Sequence, residues 1–446
     1  MIMEQTTNAP RAEINLDLKP VSWRPKPVDS IEDTGLTQGF LADMVLKILY
    51  FRGQITGFEA AGIIRLPFQT VLLSIMSFLK REQYCEVKGS GGLGPGSYQY
   101  VITSKGSARA REQLERTTYI GPAPVPWDDY VSAIRAQGTG RLRVNERMMR
   151  QALSHLVLNQ EMFEKIGPAI NSGKSIFLYG PPGNGKTTIA ESIGRLILGD
   201  DMFIPFAVIV DGQIIKVYDE INHHAVDEAE RKGTTGSLES TRYDARWLRI
   251  KRPVIMVGGE LTLDALDLIY HPANKFYEAP FQMKANGGMF LIDDFGRQQI
   301  RPRDLLNRWI VPMEKKVDFL ALATGRKLEV PFEMLLVFST NLPPRDLVDE
   351  AFLRRIRHKI EITSPSFEEY REIFKRICRH RNVPYEDQAI RYILQQYYVK
   401  ASRKLRGNHP RDILDQVIDI SSYLNIEPRL TKDLLDRAAG SYFVDL

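Results

Sequence analysis

Between Leu41 and Arg52 the apolar residues recur at the spacing of one helix face, and Gly53 marks the end of the run. Two shorter stretches of the same kind come next, Gly57–Ile64 and Pro67–Lys80. Tyr84–Val87 and Tyr98–Ile102 then flank the glycine-rich turn GSGGLGPGS as two short strands, and Lys105–Glu115 returns to helical spacing. Residues 31–118 therefore read as one small unit of three helices, a hairpin and a closing helix. Ahead of it, residues 1–30 carry Pro10, Pro20, Pro25 and Pro27 among polar residues and read as an extended or disordered arm. Behind it, Gly121-Pro122-Ala123-Pro124-Val125-Pro126 makes residues 119–144 a proline-rich linker, expected to act as a semi-rigid spacer.

From Asn145 onward short apolar runs alternate with helical stretches. The expected strands are Ser175–Tyr179, Phe206–Val210, Met289–Asp293, Leu335–Thr340 and His358–Ile362. Such alternation gives an α/β fold, a parallel sheet between helices, over residues 145–364. Residues 211–250 interrupt it as a polar, charged insertion, in which the adjacent His223 and His224 read as part of a solvated helix. From Pro365 the strands stop. Ser366-Phe367-Glu368-Glu369 is a capping box opening the first of the helices expected over 365–446.

A chain of 446 residues has room for about three domains. Its 43% hydrophobic and 26% charged residues are ordinary for a globular protein, and no apolar run nears the ~18 residues needed to cross a membrane. The start has no apolar segment after a basic one, so no signal peptide is expected. Two cysteines, Cys85 and Cys378, fall in different units; they are too few for a metal site or a disulfide framework and point to a reducing, cytoplasmic setting. A net charge of +5 allows contact with nucleic acid without arguing for it.

The strongest chemical signal is SIFLYGPPGNGKTTIAESIGRLI, a strand, a glycine-rich turn and an amphipathic helix. Gly180, Pro181, Pro182, Gly183, Asn184, Gly185, Lys186 and Thr187 match the Walker A spacing in the context that pattern requires. Such a loop curls so that backbone N–H groups point at phosphate oxygens, and the helix that begins at its end adds a positive dipole. Lys186 is expected to neutralise the β- and γ-phosphates of ATP, Thr187 to offer its hydroxyl to Mg²⁺, and Thr188 to follow it into the phosphate site. About a hundred residues on, Met289-Phe290-Leu291-Ile292 reads as a buried strand ending in Asp293-Asp294. This is the Walker B arrangement: Asp293 for Mg²⁺ and Asp294 for the attacking water.

With these motifs in this order, the stretch from Asn145 to Leu446 resembles the AAA+ ATPase superfamily. The resemblance implies a P-loop core, a C-terminal helical lid over 365–446, a homo-oligomeric ring (a hexamer in the family pattern) and ATP-driven work on a macromolecular partner. Val317–Leu322, the turn Ala323-Thr324-Gly325 and Lys327–Pro331 look like the hairpin inserted before sensor 1 in the subgroup that includes MoxR-like and σ54-activator ATPases. FYEAPFQMKANGGMFLIDDFG is similar to the segment preceding Walker B there, although the σ54-contact motif is missing. Leu335–Asn341 resembles the sensor 1 strand, which implies that Asn341 positions the lytic water; a turn cap before Leu342-Pro343-Pro344 is the other reading. The segment from Asp349 to Arg357 resembles the arginine-finger region, with Arg355 first and Arg354 second as the residue entering a neighbour's site, and a basic helix end as the alternative. Gly407–Leu414 resembles sensor 2, with Pro410 in the first turn and Arg411 aimed at the nucleotide. Asp294 stands where many of these proteins have Glu, though initiator-type members also carry an Asp-Asp pair.

YQYVITSKGSARARE is similar to the same stretch of bacterial winged-helix regulators, which makes residues 31–118 a winged helix-turn-helix-like unit. Docking of a protein and binding of DNA both suit such a unit. Residues 31–116 hold 10 Lys/Arg against 8 Asp/Glu, and Pro67–Phe78 and the GSGGLGPGS wing hold no basic residue, which favours protein docking. His271–Tyr277 takes the place of a pore-facing loop, where Lys275-Phe276-Tyr277 would grip a partner or fill an ordinary interface. Three functions suit these features: a remodelling or threading ATPase, an ATP-switched DNA-binding regulator, and a slow nucleotide-gated scaffold.

Overall fold

The computed structural model describes residues 23–139, 143–197, 201–226, 243–347 and 353–443. The N-terminal unit contains α1 (Gln38–Arg52), β1 (Gln54–Thr56), α2 (Gly57–Ile64), α3 (Leu73–Arg81), β2 (Cys85–Ser90), β3 (Tyr98–Ile102) and α4 (Ser104–Arg116). Its three strands form an antiparallel sheet in the order β1-β3-β2. Thr56 and Glu59 make a reciprocal capping box at the start of α2, which fixes the tight turn out of β1. Leu41, Val45, Leu49, Val71, Ile75 and Leu79 close the core of this unit.

The proline-rich segment does not act as a spacer. Ala123 and Val125 are buried, Ala123 N–H donates to Ile64 O at 2.8 Å, and β4 (Val125–Pro126) pairs with β7 (Ala207–Val210). α5 (Trp127–Ala136) then packs Tyr130 and Ile134 into the same layer. Prolines suit an edge strand because they leave no N–H unpaired. The expected arm lies outside the described residues up to position 22; from there Trp23 packs edge-on against Trp247 at 5.0 Å. Trp247 opens β9 (Trp247–Lys251), which forms a separate antiparallel pair with β6 (Asp201–Pro205).

The main sheet holds β5 (Ile176–Tyr179), β10 (Val254–Val257), β13 (Met289–Ile292), β16 (Leu335–Thr340) and β17 (His358–Glu361), all parallel, in the order β10-β13-β16-β5-β17. Alternating side chains divide between its two faces. Ile176, Leu178, Met289, Leu291, Leu335 and Val337 meet α6 (Glu146–Ala152), α7 (Gln160–Asn171) and α8 (Lys186–Ile197). Phe177, Phe290, Ile292, Leu336 and Phe338 meet α10 (Pro302–Lys315), where Trp309 is fully buried. Two single turns, α9 (Phe281–Lys284) and α11 (Pro344–Leu347), precede β13 and succeed β16.

One expected strand is displaced from this sheet. Ala207–Val210 turns through Asp211-Gly212, both at positive φ (49° and 72°), into the antiparallel β8 (Gln213–Lys216), and Val254–Val257 takes the place expected for it. Two positive φ values are the signature of a tight type I′ hairpin. A second sheet results, β11-β12-β8-β7-β4, in which β11 is Ile269–His271 and β12 is Phe276–Glu278. The hairpin of β14 (Val317–Ala321) and β15 (Lys327–Pro331) is present, with Leu320, Leu322, Leu328 and Val330 buried beneath this second sheet.

Two further expectations change. His223 lies buried on irregular chain and not in a solvated helix: its ring bonds to Lys284 O at 2.9 Å and accepts from Asp219 N–H at 3.0 Å. The turn between β11 and β12 belongs to an internal interface and does not stand free as a pore-facing loop. Lys275 Nζ donates to Glu115 O at 2.6 Å, Thr118 Oγ1 donates to Asn274 O at 2.7 Å, and Tyr277 is buried. The aromatic and basic residues there fasten the second sheet to the N-terminal unit. The C-terminal helices are α12 (Phe367–His380), α13 (Asp387–Ile393), α14 (His409–Tyr423) and α15 (Lys432–Tyr442), built on Tyr370, Phe374, Ile390, Ile413 and Leu435.

Candidate active site at the phosphate loop

β5, β13 and β16 end side by side, so the loops that leave them gather at one edge of the sheet, where open parallel sheets hold ligands. After β5 comes the loop from Gly180 to Gly185. A Cβ on Gly180 (φ 140°) would lie 2.3 Å from Ile362 O, and one on Gly183 (φ 79°) would lie 2.2 Å from Asn408 Oδ1. Glycine is required at both places by conformation and by close approach.

α8 begins at Lys186, whose side chain is largely buried and whose Nζ donates to Gly180 O at 3.0 Å and Pro181 O at 2.9 Å. Burial holds this ammonium below its usual pKa, with Asp293 and Asp294 opposing the shift. Thr187 Oγ1 donates to Asp293 Oδ2 at 2.9 Å. A hydroxyl and a carboxylate are hard oxygen donors that fit Mg²⁺. No cluster of three metal-binding side chains occurs among the described residues, so most of such an ion's shell would be phosphate and water.

Asp294 sits at φ 47°, a left-handed conformation that Asp tolerates. That turn is braced from β16, since Phe295 N–H donates to Ser339 O and Thr340 Oγ1 donates to Phe295 O, both at 2.7 Å. It brings Asp294 Oδ1 to 3.0 Å from Asn341 Nδ2, which donates to it. Asn341 therefore has a partner on the acidic turn, beyond any role as a cap.

A cavity of about 460 Å³ lies over this edge, lined by Pro182 to Ile189, Asp293, Asp294, Asn341 and Arg411. Arg411, in the first turn of α14, is exposed and paired with Asp412 at 3.1 Å. Arg354 and Arg355 are not part of this cavity; they line another at the opposite edge of the sheet.

Several lining residues went unread in the sequence. His155, Leu156, Val157 and Leu158 form one wall and carry no local motif. Ile373, Arg376 and Ile377 of α12 form the facing wall, and Arg376 Nη1 donates to Ser154 O at 2.8 Å and Leu156 O at 3.0 Å, clasping the two together. Gly407 and Asn408 open the stretch expected as sensor 2 and also line the cavity. Asn408 N–H donates to Gly183 O at 2.8 Å, and Gly407 N–H donates to Asn184 Oδ1 at 3.1 Å.

A parallel sheet of this order, with a phosphate loop after the fourth strand in the row, an acidic turn after the second and a C-terminal set of helices beyond, is the α/β fold of AAA+ P-loop proteins. Curated relatives match parts of it. The 26S proteasome subunit RPT4 of Saccharomyces cerevisiae is 36% identical over 81 residues, 18% of each chain. Protein SAV of Sulfolobus acidocaldarius is 25% identical over 196 residues, 39% of this chain and 24% of its own. The matched stretches thus span less than a quarter of these relatives' lengths. Among solved structures, NtrX from Brucella abortus in complex with ADP aligns over 76% of this chain and 67% of its own, at 14% identity and a TM-score of 0.39. Residues 366–441 match the family model of a domain of unknown function (DUF8689).

Proposed function

We propose that the chain binds and hydrolyses ATP with Mg²⁺ in a ring-shaped homo-oligomer, a hexamer, and spends the energy on remodelling or threading a protein partner. The observation that carries the catalytic part is the pairing of Asp294 Oδ1 with Asn341 Nδ2 beside the Thr187–Asp293 bond. A carboxylate and an amide paired beside the phosphate loop support a role in orienting a water toward the terminal phosphate. Gly180 to Thr188 would cradle the phosphates through backbone N–H groups and Lys186 would neutralise them. Thr187 and Asp293 would hold Mg²⁺, which when bound supplies charge neutralisation to the phosphates. Arg411 would leave Asp412 for the nucleotide.

Arg354 and Arg355 lie a strand's length from this chain's own phosphate loop, roughly 13 Å for four residues. That separation supports their action on a neighbouring copy, and with it the ring. Protein docking through the N-terminal unit, residues 31–118, is favoured over DNA by exposed Phe51 (62%), Phe58 (54%) and Leu93 (101%). The test is steady-state ATP hydrolysis across a concentration series. Activity per chain should rise with oligomer formation and be lost in Lys186→Ala; a rate independent of both would sink the reading.

A further inference from the structure

Asp412, one residue beyond Arg411 on α14, accepts from three side chains. Arg411 Nε donates to its Oδ1 at 3.1 Å, while Asn408 Nδ2 and the Tyr442 hydroxyl donate to its Oδ2 at 2.8 and 2.9 Å. Tyr442 ends α15 and is anchored there, edge-on to His409 at 5.5 Å and to Phe443 at 5.0 Å. The Arg403 guanidinium lies over the Phe443 ring at 3.9 Å and holds that end of the helix in turn. Burial first, then the Asp412 carboxylate, push the Tyr442 hydroxyl up to about 12, so it stays a donor.

The three bonds are unequal. The Arg411 side chain is 61% exposed against 23% for Asp412, so water screens their ion pair and little is lost when it opens. Asn408 and Tyr442 are half-buried. Asn408 Nδ2 also lies 3.4 Å from the Tyr442 oxygen, whereas Asn408 Oδ1 is buried with no hydrogen-bond partner among the described residues. The amide is therefore oriented by Asp412 and Tyr442, on the residue whose own N–H holds Gly183 O. A carboxylate that keeps two donors releases a third at low cost. Stripped of one, it leans on the arginine.

We propose that Asp412 and Tyr442 are positioning residues for Arg411. Asp412 holds the guanidinium back at the cavity, and Tyr442, with Asn408, keeps the carboxylate satisfied when the arginine turns to the nucleotide. This rests on the reading above in which Arg411 contacts that nucleotide. The two residues then act with opposite sign. Tyr442→Phe removes a donor and tightens the pair, so the full chain should bind a fluorescent ATP analogue about threefold to tenfold more weakly, the scale of one hydrogen bond to a carboxylate. Asp412→Asn removes the competing charge and should tighten binding about threefold. In an Arg411→Gln background both effects should shrink to less than about 1.5-fold, because they act only through that arginine. In steady-state hydrolysis the Tyr442→Phe change should fall on KM, with kcat kept within about twofold. The proposal is overturned if Tyr442→Phe changes nothing, if Asp412→Asn weakens binding, or if either effect persists without Arg411, melting temperatures being kept. It is also overturned if Arg411→Gln alone leaves affinity unchanged. In each case wild-type binding and hydrolysis leave the ATPase reading intact, whereas wild-type protein that binds no analogue removes that reading as well.

Discussion

Asn408 and Gly183 are joined by a main-chain hydrogen bond of 2.8 Å, so the C-terminal helices hold the phosphate loop by its backbone. A Cβ at position 183 would fall 2.2 Å from Asn408 Oδ1 on a backbone of positive φ. Gly183→Ala should therefore push Asn408 and the C-terminal helices off the loop as well as strain it, at a conformational cost of about 1–2 kcal/mol. Nucleotide affinity, read by titration with a fluorescent ATP analogue, should fall by about tenfold or more. Unchanged affinity would show that this contact is dispensable.

Asp294 pairs with Asn341 whereas Thr187 pairs with Asp293, so the loss of Asp294 should separate chemistry from binding. Asp294→Asn should lower the hydrolysis rate about 100-fold or more while ATP still binds, the scale expected when a water-activating carboxylate is removed. Single-turnover kinetics alongside equilibrium binding make the distinction. A variant that binds ATP and turns over normally would favour the scaffold function.

Arg376 ties α12 to the wall at residues 154–156. Without it both carbonyls lose a charged donor, and the end of the cavity away from the phosphates should loosen. Arg376→Ala should raise the KM for ATP about tenfold with a smaller change in kcat, and Arg376→Lys should recover part of the loss. A fall in kcat at constant KM would place the residue's effect elsewhere.

His409 is buried at the start of α14, with Nδ1 2.9 Å from the Tyr398 hydroxyl. Burial first, then Arg406 and Arg403 against Asp412, holds its pKa at about 4; burial does the same to His223, also at about 4. Both lie below the unfolded value of about 6.5, so the unfolded chain binds more protons between those limits. Their contribution to stability is complete above pH ~6.5 and is lost as pH falls toward 4. Melting temperature should drop through that window, and the slope should flatten in the paired variant His223→Gln, His409→Gln.

Arg246 is fully buried. It pairs with Asp244 at 2.8 Å and donates to Thr34 O at 2.8 Å and Pro124 O at 3.1 Å. Arg246→Ala leaves the buried Asp244 without its counter-charge, which costs about 3–5 kcal/mol. Urea unfolding should register that loss, and protease cleavage near residue 120 should quicken.

The main sheet was readable where a strand ran straight into a motif. Ser175–Tyr179 leads to the phosphate loop, Met289–Asp293 to the acidic pair and Leu335–Thr340 to Asn341, so each apolar run had a chemical landmark beside it. Phe206–Val210 had none. A buried run of that length fits either sheet, and the separating clue was Asp211-Gly212, a two-residue hairpin turn. The walls at His155–Leu158 and Arg376 were illegible for a different reason. They act through backbone carbonyls and apolar contact, which impose no residue type at a fixed spacing. The buried His223 misled because a polar neighbourhood in sequence says little when the partners, Asp219 N–H and Lys284 O, are backbone groups.

The N-terminal unit shares its hydrophobic core with the second sheet, since Ala207 and Ile214 are buried in one cluster with Leu41, Ile64 and Phe68. Together with the hairpin sealed beneath that sheet, this packs the N-terminal unit and the second sheet into one body, and not a hook on a tether. A partner gripped by the N-terminal unit would be moved as far as the second sheet itself moves. By the same logic, a chain shortened to begin after residue 118 would bare Ala207 and Ile214 of β7 and β8 and lose solubility.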